Sequence, residues 1–231
     1  MKTIIIKKNL IVVCTIFILI VASFVGAASL YKYVSTVPQN GFTIVIDAGH
    51  GGRDGGVVGT ITGTTEAQIN LAIAKQLEKI LHERGYKVVM TRKNSNGLYS
   101  PTSDNKKLAD LKARIKIIEN AKPDLVISIH QNAFPRSHER GAQVFYSLSG
   151  KQDIARTVQN HLNTQLPLCD RVAKAGDYYI INRTHYSSIL VECGFLTTPE
   201  EEKLLVTSQY QQKVAFAIFG GVDSVLNIQN A

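Results

Sequence analysis

The chain has 231 residues, 45% of them hydrophobic, enough for one well-buried domain, and no repeat or low-complexity tract divides it further. Its formal charge of +8 includes Lys2, Lys7, Lys8 and Lys32, so the remainder carries 22 basic against 18 acidic side chains, or +4. That surplus is too weak and too scattered, and lacks the aromatic–basic motif, for a nucleic-acid partner; it suits an anionic polymer.

Residues 1–34 stand apart from the rest. Lys2, Lys7 and Lys8 precede an uncharged stretch from Leu10 to Leu30, long enough to cross a bilayer as a helix. Basic residues before such a stretch place the amino terminus in the cytoplasm and the remainder of the chain outside. The segment reads either as an uncleaved membrane anchor or as a signal peptide cut near Gly26-Ala27-Ala28-Ser29. A buried helix of the folded domain is disfavoured, because nothing polar supplies a solvent face. Residues 35–41 form a polar linker, and residues 42–231 a single exported domain.

The first strand of that domain reads from Thr43 and runs out at His50. A loop from Gly49 to Gly63 comes after it, rich in glycine and so able to turn tightly around a ligand. Thr65-Glu66-Ala67-Gln68 is a capping box, and Ile69, Ile73, Leu77, Ile80 and Leu81 form the apolar stripe of the helix it opens, which ends at Gly85. A strand over Tyr86–Met90, a polar loop from Lys93 to Asn105 and a helix from about Lys107 to Asn120 come next. Leu125-Val126-Ile127-Ser128-Ile129-His130 is a third apolar run, and Val144-Phe145-Tyr146 a fourth. Gln152–Gln165 reads as a helix, Tyr178-Tyr179-Ile180-Ile181 and Ser188–Glu192 as strands, and about Gln209–Leu226 as the closing helix. The alternation predicts a three-layer α/β/α domain on a twisted, mostly parallel sheet of about six strands.

His50, His130 and Glu192 each close one of these apolar runs. Ligands of a parallel sheet bind in the crevice outside the carboxyl ends of its strands, so residues distant in sequence converge on one rim. Glu66, in the first turn of a helix returning from that rim, faces His50 across the glycine-rich loop. Two imidazoles and a carboxylate are a common ligand set for one catalytic zinc ion, with the fourth position left to water whose pKa falls toward about 7. Glu192 then serves as the base that takes the water's proton and delivers it to a departing amine. Taken singly, each residue has a blander reading: a histidine at a strand end is more often structural, and a glutamate at a helix start more often serves the cap and dipole. Glu192 is the sharpest of them, because a carboxylate ending an apolar strand needs a partner.

Four motifs in order, Asp47-Ala48-Gly49-His50-Gly51-Gly52, Glu66 with Asn70, Ser128-Ile129-His130-Gln131-Asn132-Ala133 and Val191-Glu192-Cys193-Gly194-Phe195-Leu196, resemble those of the zinc-dependent N-acetylmuramoyl-L-alanine amidases, the amidase-3 family. The resemblance runs from about Phe42 to Leu226. It implies that His50, Glu66 and His130 bind zinc, that Glu192 is the catalytic glutamate, and that the bond cleaved joins the lactyl group of N-acetylmuramic acid to L-alanine in peptidoglycan. Gln131 and Asn132 are candidates for substrate binding, with loop capping an equal role for Asn132. Arg114 looks like the family's recurrent arginine and reads as structural. Cys193 departs from the smaller or apolar residue commoner there. One domain behind a membrane segment, without wall-binding repeats, is similar to the germination-specific, spore-cortex type, which prepares muramic-δ-lactam.

Other functions remain open at this point: a general vegetative wall amidase, a tethered wall-binding protein with a decayed site, or a zinc peptidase acting within the stem peptide. An accessory or activator protein is a further possible partner. Cys169 and Cys193 allow a disulfide without requiring it, and each also reads as a small buried residue. His82 and His161 read as solvent-facing, His138 as part of a charged loop, and His185 as a loop residue that borders the substrate groove or does nothing.

Overall fold

The computed structural model describes residues 15–25, 41–134, 139–148, 150 and 152–228. Residues 15–25 are helical (α1). The expected span from Leu10 to Leu30 reaches beyond the described residues at both ends, and among those described no helix is long and apolar enough to cross a membrane. His138 also lies outside them.

From residue 43 onward the elements are β1 (Thr43–Ala48), α2 (Glu66–Glu83), β2 (Lys87–Met90), α3 (Lys106–Ala121), β3 (Leu125–Asn132), β4 (Gln143–Ser147), α4 (Asp153–Gln165), β5 (Lys174–Gly176), α5 (Tyr179–Arg183), β6 (Ser188–Phe195), α6 (Pro199–Leu205) and α7 (Ser208–Ile228). The six strands lie in the order β2-β1-β3-β6-β4-β5. The first four of that order are parallel; β4 runs antiparallel to β6, and β5 parallel to β4. Strand periodicity of two sends Ile44, Ile46 and Ala48 of β1 to one face, where they join Ile127 and Ile129 of β3 under α2, α4 and α7. Val45 and Val126 point the other way, into a smaller cluster with Ile118 of α3 and Ile180 of α5. Each fully buried Ile, Leu or Val contributes roughly 1.5–3 kcal/mol, so the α2–α4–α7 face holds most of the stabilisation. The opposite face is thinly covered, which leaves room for a cleft.

Local signals account for much of this. At the start of α2 the Thr65 N–H donates to Gln68 Oε1 at 2.9 Å, as the capping box requires. In α3, Asn105 caps the helix by accepting from the Leu108 N–H at 2.9 Å. The buried stripe of α3 is Asp110, Arg114 and Ile118, a polar one, and Leu108 faces solvent.

The structure departs from the sequence expectations at three places. Tyr178–Ile181 is not a strand: Tyr179–Arg183 forms the short helix α5. The position beside β4 is taken by β5, so the apolar Ile180 and Ile181 bury themselves from a helix against the sheet face instead. Helix α6 was announced by Pro199 at its start and the acidic run Glu200–Glu202 in its first turn, a start signal that apolar periodicity overlooks. His161 is half-buried between α4 and α7, with Nε2 3.4 Å from Ser224 Oγ. Cys169 and Cys193 are free thiols.

Candidate active site

Strand β1 delivers His50 two residues past its end, with the backbone in the left-handed region at φ +60°. Gly49 permits this turn, because a Cβ there would lie 2.3 Å from the His130 ring. His50 and His130 pack edge to face with ring centroids 5.0 Å apart. Glu66 stands between them. Its Oε1 is 3.2 Å from His50 Nε2 and 2.9 Å from His130 Nδ1, and one ligand atom from each of the three residues lies within 4.8 Å of the others.

The surroundings hold this arrangement in place. Glu66 Oε2 accepts from the Val57 N–H at 3.0 Å, and Oε1 from the Gln131 N–H at 3.0 Å and from Asn70 Nδ2 at 3.3 Å. Burial pushes the Glu66 carboxyl upward, but hydrogen bonds and charge from His130 and then His50 outweigh it, so the group sits well below the usual carboxylate range. Burial opposes protonation of His50, and Glu66, followed by Asp54, reverses the balance. Asp54 Oδ1 lies 3.0 Å from His50 Nδ1. A carboxylate on one ring nitrogen leaves the other free to ligate, as in metal sites generally.

Glu192 comes from β6, in register with His130 on β3. Beyond this pair the register shifts, with three residues on β6 spanning two on β3. The Glu192 side chain is buried, and among the described residues its Oε2 has no hydrogen-bond partner. Burial pushes its carboxyl up to about 7, with Glu66 adding to the effect and His130 and His50 opposing it.

Two buried arginines support the loop behind His50. Arg114 binds Asp47 Oδ1 at 2.8 Å and Asp110 Oδ2 at 2.6 Å, and donates to the Ala48 and His50 carbonyls at 2.6 and 2.5 Å. Arg92 donates to the carbonyls of Ala48, Gly49 and Ala67 at 2.8, 2.9 and 2.9 Å, joining the His50 turn to the first turn of α2. Asp47 completes the group by accepting from Thr91 Oγ1 at 2.7 Å and Ser128 Oγ at 2.8 Å. Arg92, Asp54 and Asp110 escaped the sequence reading. Arg92 carried a usable signal, since it follows an apolar strand just as His50 does.

The sequence candidates His50, Glu66, His130 and Glu192 thus meet in one cleft of about 820 Å³. Gln131 is buried and its Nε2 donates to Asn70 Oδ1 at 3.0 Å, behind Glu66. Asn132 lines the cleft, and its Oδ1 accepts from the Ala133 N–H at 2.8 Å, a loop cap. His185 borders a different cavity, at the amino-terminal end of β6.

Two imidazoles and a carboxylate with about 3 Å between neighbouring donors fit a tetrahedral zinc ion, whose bonds of about 2 Å set its ligands roughly that far apart. A His–Glu–His donor set sharing one cleft with a buried carboxylate is the combination that metallohydrolases use. Residues 44–224 match the family described as N-acetylmuramoyl-L-alanine amidase, Amidase_3, and the chain belongs to that family. It is 35% identical over 193 residues to the germination-specific N-acetylmuramoyl-L-alanine amidase of Bacillus subtilis strain 168, covering 81% of each protein. Among solved structures it resembles the CwlD amidase from Clostridioides difficile, determined in complex with the GerS lipoprotein (TM-score 0.77, 36% identity, 81% of this chain and 99% of that one). It also resembles the catalytic domain of CwlV, an N-acetylmuramoyl-L-alanine amidase from Bacillus (Paenibacillus) polymyxa var. colistinus (TM-score 0.73, 32% identity, 80% and 98% covered).

Proposed function

We propose that this amidase works with one zinc ion held by His50, Glu66 and His130, that Glu192 is its acid–base group, and that its substrate is spore-cortex peptidoglycan. The observation that carries the mechanism is the Glu192 carboxylate, buried and in register with His130, with one oxygen left without a partner among the described residues. A zinc ion in this donor set supplies Lewis acidity toward the amide carbonyl and toward water. Glu192 accepts the proton of the attacking water as its oxygen adds to the lactyl carbonyl carbon. The same group then protonates the alanine nitrogen as the C–N bond breaks, leaving a muramic acid carboxylate and a peptide beginning with L-alanine. Burial pushes this carboxyl above the ordinary range, and the charge of a bound cation works in the opposite direction, toward the carboxylate that accepts the water's proton.

Similarity to the germination-specific amidase of B. subtilis supports the cortex as the place of action, with removal of the peptide as a step toward muramic-δ-lactam. The general wall reading keeps some support from 32% identity to the N-acetylmuramoyl-L-alanine amidase LytC of B. subtilis strain 168. Residues 1–34 act as an export signal or membrane anchor, residues 35–41 as a linker and residues 42–231 as the catalytic domain, which works outside the cytoplasm. A lipoprotein partner fits the reading too, given the complex formed by the C. difficile relative.

Digestion of purified cortex and vegetative peptidoglycan, with and without a chelator, tests this. Chelator-sensitive release of peptides starting at L-alanine, faster from cortex, is the expected result. Equal release from both sources overturns the cortex assignment, and release that a chelator leaves unchanged overturns zinc.

A further inference from the structure

The cleft above the donor set has unlike ends. Arg53, Lys106 and Lys107 line one of them. Arg53 lies in the loop after β1, and its N–H donates to the hydroxyl of Tyr99 in the loop after β2 at 2.8 Å. The Leu98 N–H, in that same loop, donates to Asp110 Oδ1 at 2.6 Å and so ties it to α3, whose first turn carries both lysines. This end therefore sits at the β1–β2 side of the rim. Its carboxylates are largely engaged elsewhere: Asp54 faces His50 and accepts from the Gly56 N–H, with the Lys107 charge a smaller influence on it, and Asp110 is held by Arg114. Lys106 Nζ lies 3.3 Å from the Ser103 carbonyl, a neutral acceptor.

The opposite end is aromatic and carries a carboxylate. Asp177, Tyr178 and Tyr179 line it. The Tyr178 ring packs on Phe145 of β4 with centroids 5.0 Å apart. Phe145 is paired with Leu190 of β6, two residues before Glu192, which places the Tyr178 ring on the Glu192 side of the site. In the strand order β2-β1-β3-β6-β4-β5, His50, His130 and Glu192 belong to β1, β3 and β6 or their ends, between the cationic and the aromatic ends.

We propose that the cleft accepts its substrate in one direction, with the carboxylates of the stem peptide at Arg53, Lys106 and Lys107 and the sugar against Tyr178. The assignment rests on the amidase function proposed for this site. Two strand spacings of about 4.8 Å separate β1 from β6, and about three extended residues at about 3.3 Å each cover such a distance. Free carboxylates a few residues beyond the scissile amide thus come within reach of the cations. At the other end Asp177 repels carboxylates, while a tyrosine face suits the C–H surface of a neutral sugar.

The test compares the purified full-length protein on peptidoglycan and on the same peptidoglycan with its peptide carboxylates converted to amides. The wild type releases L-alanine-terminated peptides roughly three- to tenfold faster from the unmodified material, and added salt narrows the gap. The Lys106→Gln/Lys107→Gln variant, with Lys107 exposed and Lys106 half-buried at the start of α3, keeps a cooperative melt within a few degrees of the wild type and loses the preference. Tyr178→Ala slows release from both substrates and keeps the preference. A wild type without preference, a double lysine variant that retains it, or a Tyr178 variant that abolishes it overturns the orientation. Failure of the wild type to release such peptides from either substrate instead overturns the amidase reading itself.

Discussion

Arg114 Nη2 donates to the carbonyl oxygen of His50 at 2.5 Å, so a helix across the cleft fixes the one described non-glycine residue at the site with a left-handed backbone. The same guanidinium neutralises Asp47 and Asp110, and all three side chains are buried. Local strain at His50 is thus held by tertiary contacts, as strained site residues require.

Replacing Arg114 by methionine leaves two buried carboxylates without their cation and frees the His50 carbonyl. The expected cost is about 3–5 kcal/mol, the range for removing one member of a buried ion pair. Urea unfolding of the variant measures it. A loss below about 1 kcal/mol sinks the idea that Arg114 clamps the turn.

Acid should weaken the fold through Asp47. Burial alone raises its carboxyl, but Arg114, Thr91 and Ser128 bring it below the ordinary value of 3.8. A depressed folded pKa contributes stability that is fully present above the unfolded value and is lost as pH falls through the folded one. Unfolding midpoints should therefore drop as pH falls below about 4, and Asp47→Asn should be less stable at neutral pH and less sensitive to acid.

Glu192→Gln preserves shape while removing the proton acceptor. Turnover should fall by about 10²–10⁴-fold, the usual worth of general acid–base catalysis, while zinc content measured by atomic absorption stays at the wild-type level. Loss of metal along with turnover would instead make Glu192 a ligand.

Glu202, buried in α6, accepts from the Ile61 and Thr62 N–H groups at 2.9 and 2.7 Å and from the hydroxyls of Thr60 and Thr62 at 3.1 and 2.8 Å. It anchors the outer part of the glycine-rich loop that leads into Glu66. Glu202→Ala removes these charge-assisted hydrogen bonds from the exposed loop and should cost about 1–3 kcal/mol. Limited proteolysis should then cut near residues 59–63 sooner than in the wild type.

Helices α4 and α7 pack closely at Gly221, where a Cβ would lie 2.5 Å from Val158 Cα. Because the obstacle is backbone, Gly221→Ala should force the helices apart at about 1–3 kcal/mol. A calorimetric melting temperature equal to wild type would show that the contact relaxes freely.

Much of the fold was legible because each signal was local. The stripe Ile69, Ile73, Leu77 lies one face deep on α2, and the runs at Ile44–Ile46 and Leu125–Ile129 became buried neighbouring strands. Tyr178–Ile181 misled because β-propensity records how well a side chain suits a pleated surface and carries no information on which sheet position is vacant. Lys174-Ala175-Gly176 carries little strand signal of its own, yet pairs as β5 because β4 offers it an edge.

At the site the division is similar. Read from the chain alone, His50, Glu66, His130 and Glu192 stand out as metal-site and acid–base residue types beside apolar runs or at a helix start, because covalent order and strand periodicity put them there. His130 and Glu192 then fall inside β3 and β6, two and three residues before their ends. Packing of distant elements sets the 2.9 Å and 3.2 Å approaches of Glu66 to the two imidazoles, the clamp by Arg92 and Arg114, and the unlike ends of the cleft. Those depend on strand order and on how helices from distant parts of the chain close over the sheet. Burial then turns ordinary side chains into perturbed ones, and burial is a property of the packed chain.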